Sequence, residues 1–138
     1  MSIPEALKRR KLEGKPAERI LTLKLNIISK NERDGLHWSQ RRKLRWEYER
    51  EIIFQVGIST PPDYKQHVTY TRVLGKGQRL FDESNLLAGS LCELQDCLGS
   101  CGYLHDDSPK WLAYPTCEQV TTRRDEGPLL IVTLRPAL

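Results

Sequence analysis

Leu87, Leu91, Leu94 and Leu98, continued by Cys101, step along the chain by four, three, four and three residues. That period draws one apolar stripe down a helix beginning near Asn85, capped by Asp82 or Ser84 and bracketed at its end by Gly99 and Gly102. Such a stripe is stable only when another surface covers it. From Arg19 onward Leu21, Leu23, Leu25 and Ile27 alternate with Thr22, Lys24 and Asn26, the pattern of a half-buried strand. A striped helix and a one-faced strand in 138 residues predict one mixed-layer domain rather than two.

Between them, Ser39 is placed to cap a helix running to about Val56, with Leu44, Tyr48 and Ile52 at helical spacing. Gly57 to Tyr64 breaks that helix, and His67 to Leu74 reads as a second strand ending at the turn Gly75-Lys76-Gly77. Residues 116–124 and 129–135 read as two strands joined through Asp125-Glu126-Gly127-Pro128, a predicted hairpin. The predicted fold class is therefore α/β (α+β), a small mixed β-sheet with two main helices in the order β-α-β-α-β-β. Residues 1–18, charged and interrupted by Pro4, Gly14 and Pro16, read as a basic arm outside a domain spanning 19–138.

No apolar run reaches the ~18 to 20 residues of a membrane span, and the first fifteen residues lack the apolar centre of a secretory signal. The expectation is a cytoplasmic protein with no membrane segment. Cysteines at 92, 97, 101 and 117 show no paired C-x-x-C spacing, so neither a zinc ribbon nor a thioredoxin-like motif is written, and reduced thiols are the simplest account. Cys97 and Cys101, spaced toward His105, read as small core hydrophobes rather than metal ligands.

The net charge of +4 conceals two halves of opposite sign: residues 1–50 carry 14 Lys/Arg against 7 Asp/Glu, residues 51–138 carry 8 against 11. Between Arg79 and Lys110 there is no Lys or Arg, while Asp82, Glu83, Glu93, Asp96, Asp106 and Asp107 all fall there. A basic flank beside uncompensated carboxylates suits a protein that holds a polyanion against divalent cations. Two solvated faces would give the same pattern. Arg41, Arg42, Lys43 and Arg45 crowd a helix start, where they oppose the helix dipole unless an external anion is present. Trp38 is placed to stack on unpaired bases, whereas Trp46 is expected in the core and Trp111 as packing that fixes its loop.

The most specific local signal is Phe81-Asp82-Glu83-Ser84-Asn85-Leu86, a carboxylate pair and an amide at a helix mouth, followed by Asp106-Asp107. Magnesium takes such hard oxygen ligands and needs only one or two protein carboxylates beside a substrate phosphate. Helix capping by Asp82 and Ser84, and turn formation at Asp106-Asp107, are the structural alternatives. Spacing bears on the choice. A helix over 85–100 extends ~24 Å, and the seven residues to Asp107 return at most ~25 Å. Asp82 and Asp107 therefore meet only if the return is fully extended, the helix is shorter or bent, or two subunits contribute.

Asp82-x-x-Asn85-Leu86, then Asp96-x-Leu98, then Gly102-Tyr103-Leu104-x-Asp106-Asp107-Ser108 resembles the RusA-like Holliday-junction resolvases. These are small phage and prophage endodeoxyribonucleases whose signature runs D-x-D-N-L, D-x-L and G-x-x-x-D-D. The resemblance covers residues 79–112. It implies a magnesium-dependent homodimer, with manganese as substitute, that hydrolyses phosphodiesters of branched DNA in recombination and repair within a bacterial host's cytoplasm. The first motif aspartate falls on Asp82, the Asn-Leu pair on Asn85-Leu86, and the last aspartate on Asp107 beside Asp106. Asp82 and Asp107 are then the metal ligands, with Glu83 or Asp106 auxiliary. Two departures stand out. Ser84 replaces the second motif aspartate, and the family lysine has no counterpart, Ala88 or Cys92 standing in its place. Lys76, Arg79 and Lys110 are the cations left to serve near the scissile phosphate. Three readings follow: a nuclease, an impaired homologue that binds branched DNA without cutting it, and a small basic interaction module.

Overall fold

The computed structural model describes residues 18–106 and 108–137, Glu83 through its backbone alone. The basic arm, apart from its last residue, and the proposed ligand Asp107 lie outside the described residues. The elements are β1 (Arg19–Leu23), α1 (Lys30–Asp34), α2 (Trp38–Val56), β2 (Gln66–Val73), α3 (Glu83–Leu87), α4 (Leu91–Ser100), β3 (Thr116–Val120) and β4 (Leu129–Pro136). The expected α+β class with a mixed sheet is present, and two short helices, α1 and α3, are added to the two main ones.

The sheet runs β1-β4-β2-β3. β4 is antiparallel to both β1 and β2, while β3 is parallel to β2. The predicted hairpin between the last two strands does not form, because β2 lies between them. Leu129 to Leu134 is apolar at nearly every position and buried at five of its six, so it needs cover on both sides and takes a central place. Thr116 to Val120 has no buried residue and takes the edge. Their connection steps over the end of β2, where Gly127 and Pro128 lie against Leu74 and Gly75.

One face of the sheet carries the core. Leu21, Leu23, Val68, Tyr70, Leu130 and Val132 pack with Tyr48 and Ile52 of α2 and with Leu91, Leu94, Cys97 and Leu98 of α4. Both thiols of the Cys97-x-x-x-Cys101 pair are buried, as expected for core hydrophobes, and burial pushes Cys97 up to about 12. α4 ends in a Schellman turn: Gly102 has φ +87°, its N–H donates to the Gly99 carbonyl, and the Tyr103 N–H donates to the Leu98 carbonyl. α2 is capped by His37, not Ser39: the Ser39 N–H donates to His37 Nδ1 at 3.3 Å, and Gln40 Oε1 accepts from the His37 N–H at 2.9 Å.

The striped segment is not one helix. It breaks over Ala88-Gly89-Ser90, where the chain leaving β1 crosses it. The Ser90 N–H donates to the Ile28 carbonyl at 3.0 Å, and Ser90 Oγ accepts from the Ile28 N–H at 2.8 Å. The Tyr48 hydroxyl donates to the Asn26 carbonyl at 2.7 Å and lies 2.8 Å from Ser90 Oγ. Ser90 is fully buried, so its hydroxyl ties β1, α2 and α4 together where an apolar side chain would strand polar partners. Ser90→Ala is expected to cost about 2 kcal/mol by urea unfolding at unchanged m-value. A cost near zero would show that the tie carries no stability.

Candidate functional site

α2 is the most solvent-facing main element. Over nineteen residues it buries only Tyr48 and Ile52, and its first half presents Arg42, Lys43 and Arg45 to solvent. Trp38 is 63% exposed with the Arg42 guanidinium 5.0 Å above its ring. Trp46, expected in the core, is 55% exposed with Arg50 at 4.6 Å over its ring. It was misjudged because its neighbours at helical spacing, Arg42 and Arg50, are hydrophilic, so no stripe runs through it. Arg41 is half-buried, and its Nε has no hydrogen-bond partner among the described residues. Cations and an indole on one unburied helix surface are what a phosphate backbone with exposed bases requires.

This helix meets the acidic segment. Cys97 Sγ donates to the Arg45 carbonyl at 3.2 Å, and Arg45 lines a groove of about 240 Å³ with Gln95, Asp96, His105 and Asp106. A basic residue from one half of the chain and two carboxylates from the other thus share a single surface. Asp106 Oδ1 accepts the Ser108 N–H at 2.7 Å. Hydrogen bonds from the Ser108 backbone and hydroxyl hold its carboxyl below the ordinary range, so it is an anion that also shapes its turn. Trp111 stacks on His105 at 4.0 Å between centroids, and His105 Nε2 lies 2.6 Å from the Pro62 carbonyl, which fixes this return loop as expected. Lys110 is in the same loop, 5.2 Å from the Trp111 ring.

Asp82 belongs to a second neighbourhood, at the end of β2 and β3, and does not line that groove. The Phe81 N–H donates to Gln119 Oε1 at 3.0 Å, and Gln119 Nε2 donates back to the Phe81 carbonyl at 2.7 Å. Arg72 reaches the same Gln119 oxygen at 2.8 Å and lies 3.7 Å over the Phe81 ring. Asp82 follows as the N-cap of α3, exposed and making no side-chain capping bond. Among the described residues no hydrogen bond or ion pair ties its carboxylate to the fold. Ser84 is exposed, Asn85 half-buried and Leu86 buried in the core. Ala88 ends α3, and Cys92 is exposed. Arg79 is exposed beside this end, its carbonyl accepting from Arg72, and Lys76 lies 3.5 Å from Asp125. Gln119 and Arg72 were not singled out in the sequence. Their role depends on β3 pairing parallel to β2, which no local pattern announced.

Among the described residues, no group of three His, Cys, Asp or Glu side chains stands ready to hold a metal. Among the described residues, carboxylates that suit magnesium stand in two separate neighbourhoods, Asp82 in one and Asp96 with Asp106 in the other. No helix among the described residues is long and apolar enough to cross a membrane. Compared with models of known protein families and with curated proteins, the chain matches none of them.

Replacing Arg42, Lys43 and Arg45 together with alanine is expected to make the slope of log affinity against log salt for duplex DNA shallower by about 2.7, at unchanged thermal midpoint. All three are exposed, so an unchanged slope would remove α2 from any DNA contact.

Proposed function

We propose that the protein is a RusA-like, magnesium-dependent endodeoxyribonuclease of branched DNA that acts as a homodimer. The observation that carries this reading is the shared groove of Arg45, Asp96 and Asp106, where phosphate-binding charge and carboxylates adjoin. Strand phosphates lie along Arg42, Lys43 and Arg45, with Trp38 against an unpaired base at the branch. Asp82 and Asp107 are the residues that would hold magnesium, with Glu83 and Asp106 in support; because Asp82 and Asp106 stand in separate neighbourhoods of one chain, a shared ion would take Asp82 from one copy and Asp107 from the other. An ion held there would supply polarisation of the scissile phosphate and a more acidic water. Arg79, Lys76 and Lys110 are the cations proposed to serve the leaving oxygen.

The dimer belongs to the second half of α2. Phe54 is 86% exposed and Ile53 43%, about two turns beyond the 55% exposed Trp46, and Ile58, just past the helix end, is 74% exposed; no described element covers these side chains. An antiparallel pairing of this surface with itself sets the same apolar side chains against one another, an isologous contact. Two-fold symmetry also matches a four-way junction cut on opposing strands.

A second reading, binding without cutting, is favoured by Ser84, a neutral exposed hydroxyl where the motif has a carboxylate, and by Ala88 in place of the lysine. Incubation with a synthetic four-way junction and magnesium separates the two. Paired nicks support the nuclease, and a salt-sensitive complex without nicks supports the binder. Absence of any complex at low salt overturns both and leaves an interaction module. In sedimentation, Phe54→Glu is expected to convert dimer to monomer, and a persisting dimer would place the interface elsewhere.

A further inference from the structure

At the start of the sheet lies a second pocket, of about 250 Å³, lined by Arg19, Thr60, Pro62, Tyr64, Gln66, Tyr103 and Leu134. Its polar groups are few and specific. Gln66 is 4% exposed, and its Nε2 donates to the Tyr103 carbonyl at 3.2 Å. That bond orients the amide and leaves Oε1 buried with no partner among the described residues. A buried acceptor of this kind is stabilised only by a donor. Arg19 sits at the mouth, its guanidinium 4.7 Å over the Tyr103 ring and its Nη1 donating to Ser59 Oγ at 2.8 Å. It forms no ion pair with a described carboxylate. Pro62, Leu134 and the two tyrosines supply apolar and aromatic wall.

A ligand that satisfies this lining has a flat body, an N–H for the buried acceptor and an anion for the arginine at the same pocket. We propose that the pocket takes one unpaired nucleotide, whose base amino group donates to Gln66 Oε1 while its phosphate meets Arg19. The volume admits a single base and not a base pair. Tyr103 is buried beneath Arg19, so the base lies against the Arg19 guanidinium and Tyr64, as bases do on cationic and aromatic platforms. The nucleotide is either free or part of a strand opened at a branch. The second source rests on the DNA-binding reading above, while neither rests on cleavage.

Titrating the full chain with dCMP, dAMP, deoxyribose 5-phosphate and inorganic phosphate, followed by amide chemical shifts, tests this without reading nuclease activity. Saturable shifts around Gln66, Tyr64 and Arg19 are expected with dCMP and dAMP, with deoxyribose 5-phosphate at least about tenfold weaker. Gln66→Met removes the acceptor at similar volume and is expected to weaken dCMP about tenfold. Arg19→Met, at an exposed position, is expected to do the same and serves if the buried variant does not fold. A single-nucleotide bulge that displaces dCMP identifies the strand as the source, and failure to displace identifies the free nucleotide. Equal affinity for dCMP and deoxyribose 5-phosphate, shifts elsewhere, no saturation below 10 mM as an about-millimolar ceiling, or indifference to Arg19→Met would overturn the proposal. A junction that is never nicked leaves it standing.

Discussion

Asp82→Asn is expected to lower magnesium-dependent nicking of a four-way junction about 100-fold or more, with thermal midpoint and junction affinity unchanged. The separation of effects follows from what the side chain does in the fold. Asp82 is exposed at the N-cap of α3 and accepts no capping bond, and asparagine is as good an N-cap as aspartate. The loop that presents it is held by Phe81 against Gln119 and Arg72, and none of those contacts involves the carboxylate. Any lost cleavage therefore reports the lost ligand and not a lost structure. Ser84→Asp, which places a second carboxylate two residues on in the same exposed turn, is expected to raise nicking. Full activity in Asp82→Asn, measured at limiting magnesium, would remove Asp82 from the site.

A large effect on stability is expected at Gly89. A Cβ there meets the Ile28 carbonyl oxygen, the Asn85 carbonyl at 3.0 Å and the Ser29 backbone at 3.0 Å. All three belong to backbone, so no rotamer change relieves the overlap. The shift needed for Gly89→Ala moves the chain leaving β1 off α3 and opens both hydrogen bonds between Ser90 and Ile28. The combined overpacking and lost buried bonds predict about 3 kcal/mol and a thermal midpoint lower by about 10 °C. A variant that melts as the parent does would show that the break in the striped segment is not held by this crossing. The same break bears on the spacing of the motif: ten-residue α4 runs only ~15 Å, which leaves slack for residues 101–106 to turn back and set Asp106 beside Asp96.

Local pattern carried much of this molecule. Alternation at Leu21 and Leu23, the Tyr48–Ile52 pair of α2 and the stripe through Leu91, Leu94, Leu98 and Cys101 all named core positions correctly, because burial on one face imposes its period on the residues themselves. The α2 cations were legible as an exposed cluster for the same reason. What pattern missed was contact between distant segments. The stripe passes through Gly89 and Ser90 without a visible fault, yet Ile28 breaks the helix there. Residues 116–135 have hairpin spacing, yet burial sends the second strand to the far side of β2. Trp46, apolar by type, stays outside because the helix shows the sheet another face.

Composition and periodicity thus determined the class of fold, the core-facing residues and the division into a basic and an acidic half, since each is a property of near neighbours in the chain. Tertiary structure alone decided that Arg45 and Asp106 share a groove, that Asp82 stands apart at the Gln119 end, and that Gln66 keeps an unsatisfied oxygen beside Arg19. Those are meetings of residues tens of positions apart. Their geometry is set by strand order and by where one backbone crosses another, and no short stretch of side chains encodes either.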